Sequence, residues 1–334
     1  LTLKLLWFPL LKYWIRQVET GRGLNRHQCR RLSRLKHHQH GYWILAIDRT
    51  QWKGRNLFMV SVVWGTHALP VYWELLGQPG NSDLKTQQRL LKAALSVFQS
   101  YRVLVLGDRE FHSPKLADWL EQRGVSFALR QKKALYFQTH PDTEYHVLRD
   151  LGFKPGQSRF YEGVLCNKGD GLGPFNVAVY WKRTYRQTGP REPWYILTNL
   201  PTLKQALAVY RCRWGIEQLF KDCKTGGYHL EDAKVNDTRF LALVLLIALA
   251  YSWATMHGQQ MKHLRVDQYA GRIQEHHDKT PRQSDFSLGL YGQRWIYAME
   301  LWADWAFQLI ALKPHKRLYF QRGFHALSLL QQDF

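Results

Sequence analysis

Cysteine is scarce in this chain of 334 residues. The four cysteines are Cys29, Cys166, Cys212 and Cys223. No two of them have the close spacing that a zinc ribbon or a redox dithiol requires, so cysteine usage predicts no structural metal site. Such sparse usage is typical of a protein of the reducing cytoplasm.

Long hydrophobic runs are also lacking. The most apolar window, residues 240–251, is about a dozen residues long, whereas a bilayer core needs roughly 20. The window therefore predicts a buried helix and no membrane span. Residues 1–11 are apolar, but they lack a small-residue cleavage site and precede a basic stretch, which argues against a signal peptide. The chain has no internal repeat and no low-complexity linker.

Acidic residues are few relative to basic ones. The chain has 26 Asp and Glu residues against 47 Lys and Arg residues, for a formal net charge of +21. Such an excess needs a polyanionic partner, and nucleic acid is the leading class. Residues 1–47 are the most basic stretch, with nine basic side chains against Glu19 alone, a net of 9 − 1 = +8. We expect this stretch to contact the DNA backbone, with a solvated helical face as the alternative.

From residue 42 onward the chain alternates between short strands and helices. The predicted strands are residues 43–47, 57–63, 68–75, 103–106 and 125–129, and the predicted helices are residues 84–98 and 114–123. Three strands, a helix, a strand, a helix and a strand form the order expected of an RNase H-like α/β core. Dispersed glycine and proline then interrupt this order, and beyond Pro201 the pattern is helical nearly to the end.

These patterns predict five parts of the chain. They are a basic N-terminal DNA-binding remnant (1–41), the first part of the RNase H-like core (42–130), a β-rich insertion (131–193), the second part of the core (194–258) and a helical C-terminal region that is a candidate for dimerisation (259–334). The predicted fold is thus an α/β core that one insertion interrupts.

Two aspartates stand at the ends of predicted strands. Asp48 directly follows the strand 43–47, and Asp108 follows the strand 103–106 with only Gly107 between them. Strands hold such carboxylates rigidly and leave them open to bind ions. Because Asp also ends strands for turn chemistry, the pair alone leaves both explanations open.

Residues 210–224 contribute a third acid. On one continuous helix, which advances about 100° per residue, four polar residues share a stripe about 60° wide. They are Tyr210, Arg213, Glu217 and Lys224. Arg, Lys and Tyr are standard partners of phosphate oxygens, so the stripe suits a catalytic carboxylate bordered by DNA contacts. The alternative is an exposed helical face on which Glu217 forms ion pairs with Arg213 and Lys221.

Three carboxylates, Asp48, Asp108 and Glu217, are enough to hold two Mg²⁺ or Mn²⁺ ions at a phosphodiester. One ion would lower the pKa of the attacking water or hydroxyl, and the other would stabilise the leaving oxygen. Mg²⁺ prefers few protein carboxylates together with water and substrate phosphate, which fits three acids without Cys or His. The predicted chemistry is phosphodiester hydrolysis or transesterification.

The spacing of the polar residues within 210–224 resembles a family signature: Tyr, two residues, Arg, three residues, Glu, six residues, Lys. It is the signature of the DDE transposases of bacterial insertion sequences, specifically the insertion-sequence-four family with its hairpin-forming elements. Residues 47–52, residues 107–111 and residues 194–201 also resemble this family in sequence. The resemblance covers about residues 42–255.

The resemblance implies a role for each matching residue. Asp48, Asp108 and Glu217 would be the metal-binding catalytic triad of an RNase H-like fold. The other signature residues and one nearby tryptophan would contact DNA: Tyr210, Arg213 and Lys224 at the backbone of the transposon end, and Trp194 by stacking on a base flipped out of the duplex. The alternative for Trp194 is an ordinary strand residue packed into the core.

The implied reaction is cut-and-paste transposition. A nick at the element end would free a 3′-hydroxyl, which would attack the opposite strand to form a hairpin, and hairpin opening and strand transfer into target DNA would follow. The implied partners are the terminal inverted repeats, target DNA and a second copy of the chain in a synaptic complex. The implied location is the bacterial cytoplasm, at the nucleoid.

The chain departs from the family at its start. Family members commonly carry a longer end-binding domain, whereas only 47 residues precede Asp48 and the first residue is Leu1. This difference predicts a truncated copy with an intact catalytic core and impaired end recognition. Two alternatives remain open from the residues alone: a structure-selective nuclease on the same fold, and a non-catalytic basic DNA-binding protein derived from such an element.

Overall fold

The structure is a computed structural model that describes residues 41–77, 80–139, 143–183, 190, 192–224, 226–269 and 283–332. The predicted N-terminal DNA-binding remnant, residues 1–41, lies outside the described residues except for Gly41. The chain divides into two compact units, with the boundary between Leu249 and Ala250. The first unit contains the β-sheet, and the second is helical in its described part.

Five strands form the first half of the sheet. They are β1 (Trp43–Trp52), β2 (Arg55–Trp64), β3 (His67–Leu76), β4 (Val103–Gly107) and β5 (Ser126–Arg130). Strands β1, β2 and β3 form antiparallel hairpins, whereas β4 is parallel to β1 and β5 is parallel to β4. Helix α1 (Leu84–Leu95) follows β3, and helix α2 (Pro114–Glu121) follows β4. The order of these elements is the predicted one, in a mixed α/β fold.

Strands β1 and β4 lie in the core. Residues 44–47 of β1 and residues 104–106 of β4 are completely buried. Strands that are buried on both faces read as continuous apolar runs, which is why the sequence located them. The second half of β1, residues 48–52, is mostly polar and therefore has no such signal. These residues still belong to the strand because they pair with β2. Asp48 is therefore inside β1, and the prediction that it directly follows the strand is wrong.

Five further strands continue the same sheet. They are β6 (Tyr136–Gln138), β7 (His146–Val147), β8 (Ser158–Cys166), β9 (Leu172–Tyr180) and β10 (Trp194–Thr198). The ten strands lie in the order β3-β2-β1-β4-β5-β10-β9-β8-β6-β7. Strand β10 is antiparallel to both β5 and β9. The residues that were predicted to form a β-rich insertion thus extend the central sheet through β10.

Two short helices follow the sheet, α3 (Leu203–Arg211) and α4 (Trp214–Cys223). The prediction of one continuous helix over residues 210–224 is wrong, because the helix is broken at Cys212 and Arg213. Packing against the sheet explains the separate position of α4. A Cβ atom on Gly215 would lie 2.6 Å from the carbonyl oxygen of His67, so α4 rests directly on the backbone at the start of β3.

Helix α5 (Asp237–His263) begins in the first unit and ends in the second. It is longer than the predicted apolar segment, and its length and composition would allow it to cross a membrane. In its most apolar window, 44% of the residues are buried within the protein. Core helices of globular proteins pass the same test, so this one helix does not indicate a membrane protein.

The second unit also contains α6 (Asp285–Ala311) and α7 (Pro314–Gln332). Helices α5 and α6 touch backbone to backbone within this unit. A Cβ atom on Gly258 would overlap the carbonyl group of Asp285, and one on Gly289 would overlap that of Ala254. Small residues at a crossing allow such close helix contact, and this contact sets the spacing of the two helices.

Candidate active site

Two aspartates lie side by side at one edge of the parallel strands. Ile47 of β1 is in register with Gly107 of β4, so the next residues along the two strands, Asp48 and Asp108, are neighbours. The carboxyl ends of parallel strands meet at the same edge of a sheet, where ligands commonly bind in open α/β folds. The structure therefore brings together the two carboxylates that the sequence singled out.

Backbone amides orient both aspartates. The N–H of Arg49 donates to Asp48 Oδ1 over 2.7 Å, and the N–H of Glu110 donates to Asp108 Oδ1 over 2.8 Å. Asp108 thereby caps a single 3₁₀ turn, Arg109–Phe111. The turn folds back closely on the strand, because a Cβ atom on Gly107 would lie only 2.8 Å from the Cβ of Phe111.

Glu217 is in the first turn of α4, and Arg213 connects it to β1. The Arg213 guanidinium forms an i,i+4 ion pair with Glu217, and its Nη1 lies 3.5 Å from Asp48 Oδ2. The side chain of Arg213 is only 14% exposed. Arg213 is thus a partly buried cation between two of the three predicted catalytic acids.

The electrostatics of Asp48 reveal how close the three acids are. Burial above all, and then the negative charges of Asp108 and, to a lesser extent, Glu217, raise the pKa of Asp48 from 3.8 to about 7. The hydrogen bond from the Arg49 amide and the charge of Arg213 oppose this rise. The strand register and the two contacts of Arg213 place the same three acids, from β1, the turn after β4 and α4, around one site.

Tyr210 lies beneath the site at the end of α3. It is 3% exposed, and burial raises the pKa of its hydroxyl, opposed by the nearby charges of Arg213 and Arg130. Its ring packs edge-on against Trp194, with 5.1 Å between ring centroids. Tyr210 therefore supports Arg213 from below the surface.

Trp194 is the first residue of β10 and is half-buried. It is in register with Tyr180 of β9, and the two ring centroids are 6.0 Å apart. With Tyr210 on its other side, the indole has neighbours within the protein and keeps one part open to solvent. Both explanations of Trp194 given by the sequence remain compatible with this position.

Lys224 follows the last residue of α4, and its ammonium lies 5.9 Å from the ring centroid of Trp52. It lines a surface pocket together with Glu217 and with three further residues, which are Thr50, Phe220 and Lys221. Lys224 thus shares an open pocket with Glu217, whereas Tyr210 and Arg213 lie deeper in the protein.

Sequence reasoning missed a second ion pair beside the aspartates. Arg49 Nε lies 3.0 Å from Glu110 Oε2, and the two side chains are only 15% and 10% exposed. The single available signal was position, because Arg49 follows Asp48 directly and Glu110 lies two residues after Asp108. Nothing in the spacing indicates that these two residues meet across 61 positions of sequence.

The three acids supply only oxygen donors, which suits a hard divalent cation such as Mg²⁺. Burial and the nearby acids raise the pKa of Asp48 despite the charge of Arg213, and a bound cation would oppose that rise. In the arrangement that the described residues adopt, no three His, Cys, Asp or Glu side chains are close enough to one another to hold an ion. The donors thus suit a divalent metal by their chemistry, whereas in the present arrangement Arg213 lies between Asp48 and Glu217.

Known proteins with similar sequence or structure include transposases. A family model described as a transposase DDE domain matches residues 32–253. The chain is similar to piggyBac transposase in a cryo-EM structure of its synaptic complex with hairpin DNA, with 12% identity and a TM-score of 0.42 over 84% of this chain and 56% of that chain. It is also similar to Drosophila Piwi, with 11% identity and a TM-score of 0.26 over 52% of this chain and 27% of that chain. No curated protein sequence matches the chain.

The chain spans little more than half of the piggyBac transposase chain, and both structural similarities are distant. The family match, by contrast, extends over most of this chain and includes all three acids of the site. Transposase DDE domains generally use divalent metal ions, in agreement with the oxygen donors found here. The chain belongs to the DDE transposase family, whose enzymes catalyse DNA cleavage and strand transfer.

Proposed function

We propose that the protein is a DDE transposase of the insertion-sequence-four family, which cuts DNA at the ends of an insertion sequence and joins them to target DNA. Asp48, Asp108 and Glu217 form its catalytic triad. The observation that carries this proposal is the position of the three acids: the strand register places Asp48 beside Asp108, and Arg213 contacts both Asp48 and Glu217. Like charges that converge in this way cost folding free energy, which a binding site for cations offsets.

The triad would hold two divalent ions, Mg²⁺ or Mn²⁺. When bound, these ions supply Lewis-acid activation of the attacking hydroxyl and stabilisation of the leaving oxygen at the phosphodiester. Asp48 must be ionised to take part, and its pKa of about 7 means that neutral to basic pH favours the active form. The backbone amides of Arg49 and Glu110 hold the two aspartates in a fixed orientation.

The remaining signature residues would bind DNA or support the residues that bind it. Lys224 is the residue best placed to meet a phosphate, since it lines the same pocket as Glu217. Arg213 would exchange one of its carboxylate partners for a phosphate oxygen when DNA enters, because a guanidinium fork suits both ligands. Tyr210 would act through Arg213, since its buried ring has little access to a duplex.

We further propose that the reaction passes through a hairpin, with Trp194 stacking on the extruded base. The half-buried indole beside Tyr210 supports this role, because a stacking platform needs one open face and a rigid support. Base–aromatic stacking contributes about 1–3 kcal/mol per base, enough to offset much of the cost of unstacking.

The strand order β3-β2-β1-β4-β5 with its two parallel pairs supports an RNase H-like core, which the residues from 131 to 193 would interrupt as an insertion. We propose the division of the chain into five parts together with this core. A homodimer would bridge the two inverted repeats, with the C-terminal helices as the candidate contact, and the protein would act on DNA at the bacterial nucleoid.

Cleavage of a labelled duplex tests the function. The duplex carries the DNA that directly flanks the coding sequence, and products are resolved on denaturing gels with Mg²⁺, with Mn²⁺ and with EDTA. We expect metal-dependent nicks followed by hairpin or joined products, and a loss of at least about 100-fold in cleavage for Glu217→Gln, since removal of one catalytic group typically costs 10²-fold or more.

The matched control is Glu162→Gln, which makes the same change at an exposed position of β8. It should cleave like the unmodified protein. Nicks without joined products would favour the structure-selective nuclease. Binding without cleavage in any metal would favour the non-catalytic DNA-binding protein and would overturn the proposed activity.

A further inference from the structure

The Arg49–Glu110 ion pair links the two strands that carry the aspartates. Arg49 Nε contacts both Glu110 oxygens, at 3.1 and 3.0 Å. Arg49 belongs to β1 and Glu110 to the turn after β4, so the pair crosses between two neighbouring parallel strands. Both side chains are largely buried, so solvent and salt screen the attraction between them less than they screen a surface salt bridge.

The pair joins the same two residues whose backbones orient the acids. Arg49 donates its N–H to Asp48, and Glu110 donates its N–H to Asp108. Each member of the pair therefore has its amide on one aspartate and its side chain on the other member. The result is a continuous path from one carboxylate, through Arg49, the ion pair and Glu110, to the other carboxylate.

Further bonds fix both ends of the pair. Arg49 Nη1 donates to Asn56 Oδ1 over 2.9 Å, and Asn56 Nδ2 donates to the carbonyl oxygen of Gly80 over 3.1 Å. Glu110 Oε1 accepts from the N–H and the hydroxyl of Ser82, at 3.0 and 2.9 Å. Because its oxygens are already engaged, Glu110 is not free to replace an acid of the triad.

We infer that Arg49 and Glu110 are positioning residues that set the spacing of Asp48 and Asp108 and thereby the affinity of the site for divalent cations. This inference rests on the proposed function of the triad. Residues that orient metal ligands through hydrogen bonds typically change metal affinity by 10–100-fold when they are replaced. In this role the pair acts through the two aspartates, as a support of the metal ligands and not as a ligand itself.

Binding of Mn²⁺ to the full chain without DNA tests the inference, measured by isothermal titration calorimetry at pH 8. We expect Arg49→Gln and Glu110→Gln each to weaken Mn²⁺ binding by about tenfold or more. Arg49→Lys should recover part of the affinity, because it keeps the charge but loses the fork. The exchange of both residues, Arg49→Glu with Glu110→Arg, should also recover part of it.

The matched control is Arg89→Gln. Arg89 forms a bidentate pair with Glu74 at 2.6 and 2.7 Å, but this pair is more exposed and involves none of the three acids. Circular dichroism and thermal melting report folding for every variant. Mn²⁺ affinity that stays unchanged in Arg49→Gln, with a loss of melting temperature like that of Arg89→Gln, would reduce the pair to a structural role and overturn the inference.

Failure of the proposed function gives a different result. In that case the unmodified protein would bind Mn²⁺ no better than Glu217→Gln, so the triad would not be a cation site, and the inference would fall with it. Tight binding by the unmodified protein that Glu217→Gln weakens, together with unchanged binding by Arg49→Gln, would overturn the inference alone.

Discussion

At the scale of single residues, folding disfavours the charged form of Asp48, which is the form that metal binding requires. Burial and two neighbouring acids raise the pKa of its carboxyl from 3.8 to about 7. The folded protein therefore retains a proton that the unfolded chain releases near pH 4. This contribution to stability is fully present below pH 3.8 and is lost as the pH rises through about 7.

Replacing Asp48 by asparagine should remove this conflict. At pH 8 and in EDTA, we expect the free energy of unfolding of Asp48→Asn to exceed that of the unmodified protein by an amount on the order of 3 kcal/mol. The reason is that the buried amide, unlike the carboxyl group, does not ionise. At pH 5 the difference should be less than half as large, and it should nearly vanish only below pH 3.8, where the unfolded chain is protonated as well. Chemical denaturation at both pH values measures it, with Asp150→Asn, at an exposed acid, as the control. Equal stability at pH 8 would contradict the raised pKa.

The predicted acids were found from sequence because each had a local signal. Asp108 follows a short apolar run, and Glu217 belongs to a spacing of four polar residues. Their polar partners had no such signal. The contacts of Arg213 with Asp48 and of Arg49 with Glu110 join distant parts of the chain, and only the folded sheet brings them together.

At the scale of elements, the position of α4 decides where Glu217 lies. The helix starts against the backbone of His67, and Gly215 makes this contact feasible. Near the other end of α4, Asp222 lies 3.8 Å from His67 Nδ1, and both side chains are buried. The start of β3 therefore supports α4 at two points.

A methyl group at Gly215 should push α4 away from the sheet. We expect Gly215→Ala to lower stability by roughly 1–3 kcal/mol, as overpacking does, and to weaken Mn²⁺ binding because Glu217 moves with its helix. Thermal melting and calorimetry measure the two effects. Gly77→Ala is the control, since a Cβ at Gly77 has open space around it. A variant that melts and binds Mn²⁺ normally would contradict the close packing.

The break between α3 and α4 explains why the four signature residues do not share a stripe on one continuous helix, although they still lie near one site. A stripe on a straight α-helix requires a constant rotation per residue, but a tighter turn at Cys212 and Arg213 interrupts the helix there. Tyr210 belongs to α3 and Glu217 to α4, and Arg213 between them interacts with both. Hydrophobic spacing locates helices well, whereas a break caused by contact with another element leaves little trace in it.

For the whole molecule, the formal charge of +21 sets the response to salt. Binding to a random-sequence duplex in EDTA should weaken by about 10³-fold between 50 and 200 mM salt, because each neutralised phosphate releases a counterion. Fluorescence anisotropy measures this dependence.

The contribution of Lys224 to this salt dependence can be measured separately. Lys224→Gln should reduce the slope of log DNA affinity against log salt concentration by about one, because one phosphate contact is lost. Lys92→Gln, an exposed change on α1 away from the triad, should leave it unchanged. A slope that is the same for both variants would exclude a phosphate contact at Lys224.

The fold as a whole was predictable where elements follow one another closely in sequence. The order from β1 to β5 rests on apolar runs and local turns, and each of these strands lies in the predicted place. The pairing of β10 with β5 spans the residues from 131 to 193, and no local pattern indicates which strand closes on which. The residues from 131 to 193 were therefore recognisable as β-rich, but their continuity with the central sheet was not.

Because β6 to β9 continue the central sheet through β10, removing them would expose a strand of that sheet. Strand β10 has neighbours on both sides, and β9 is the one that shields it from solvent. Splicing residue 130 directly to residue 194 would leave the buried apolar residues Tyr195, Ile196 and Leu197 on an open strand with unpaired amides. Such an edge recruits other chains and drives aggregation. The additional strands thus protect β10 from edge-to-edge association, and a shortened form of the sheet has to retain at least β9.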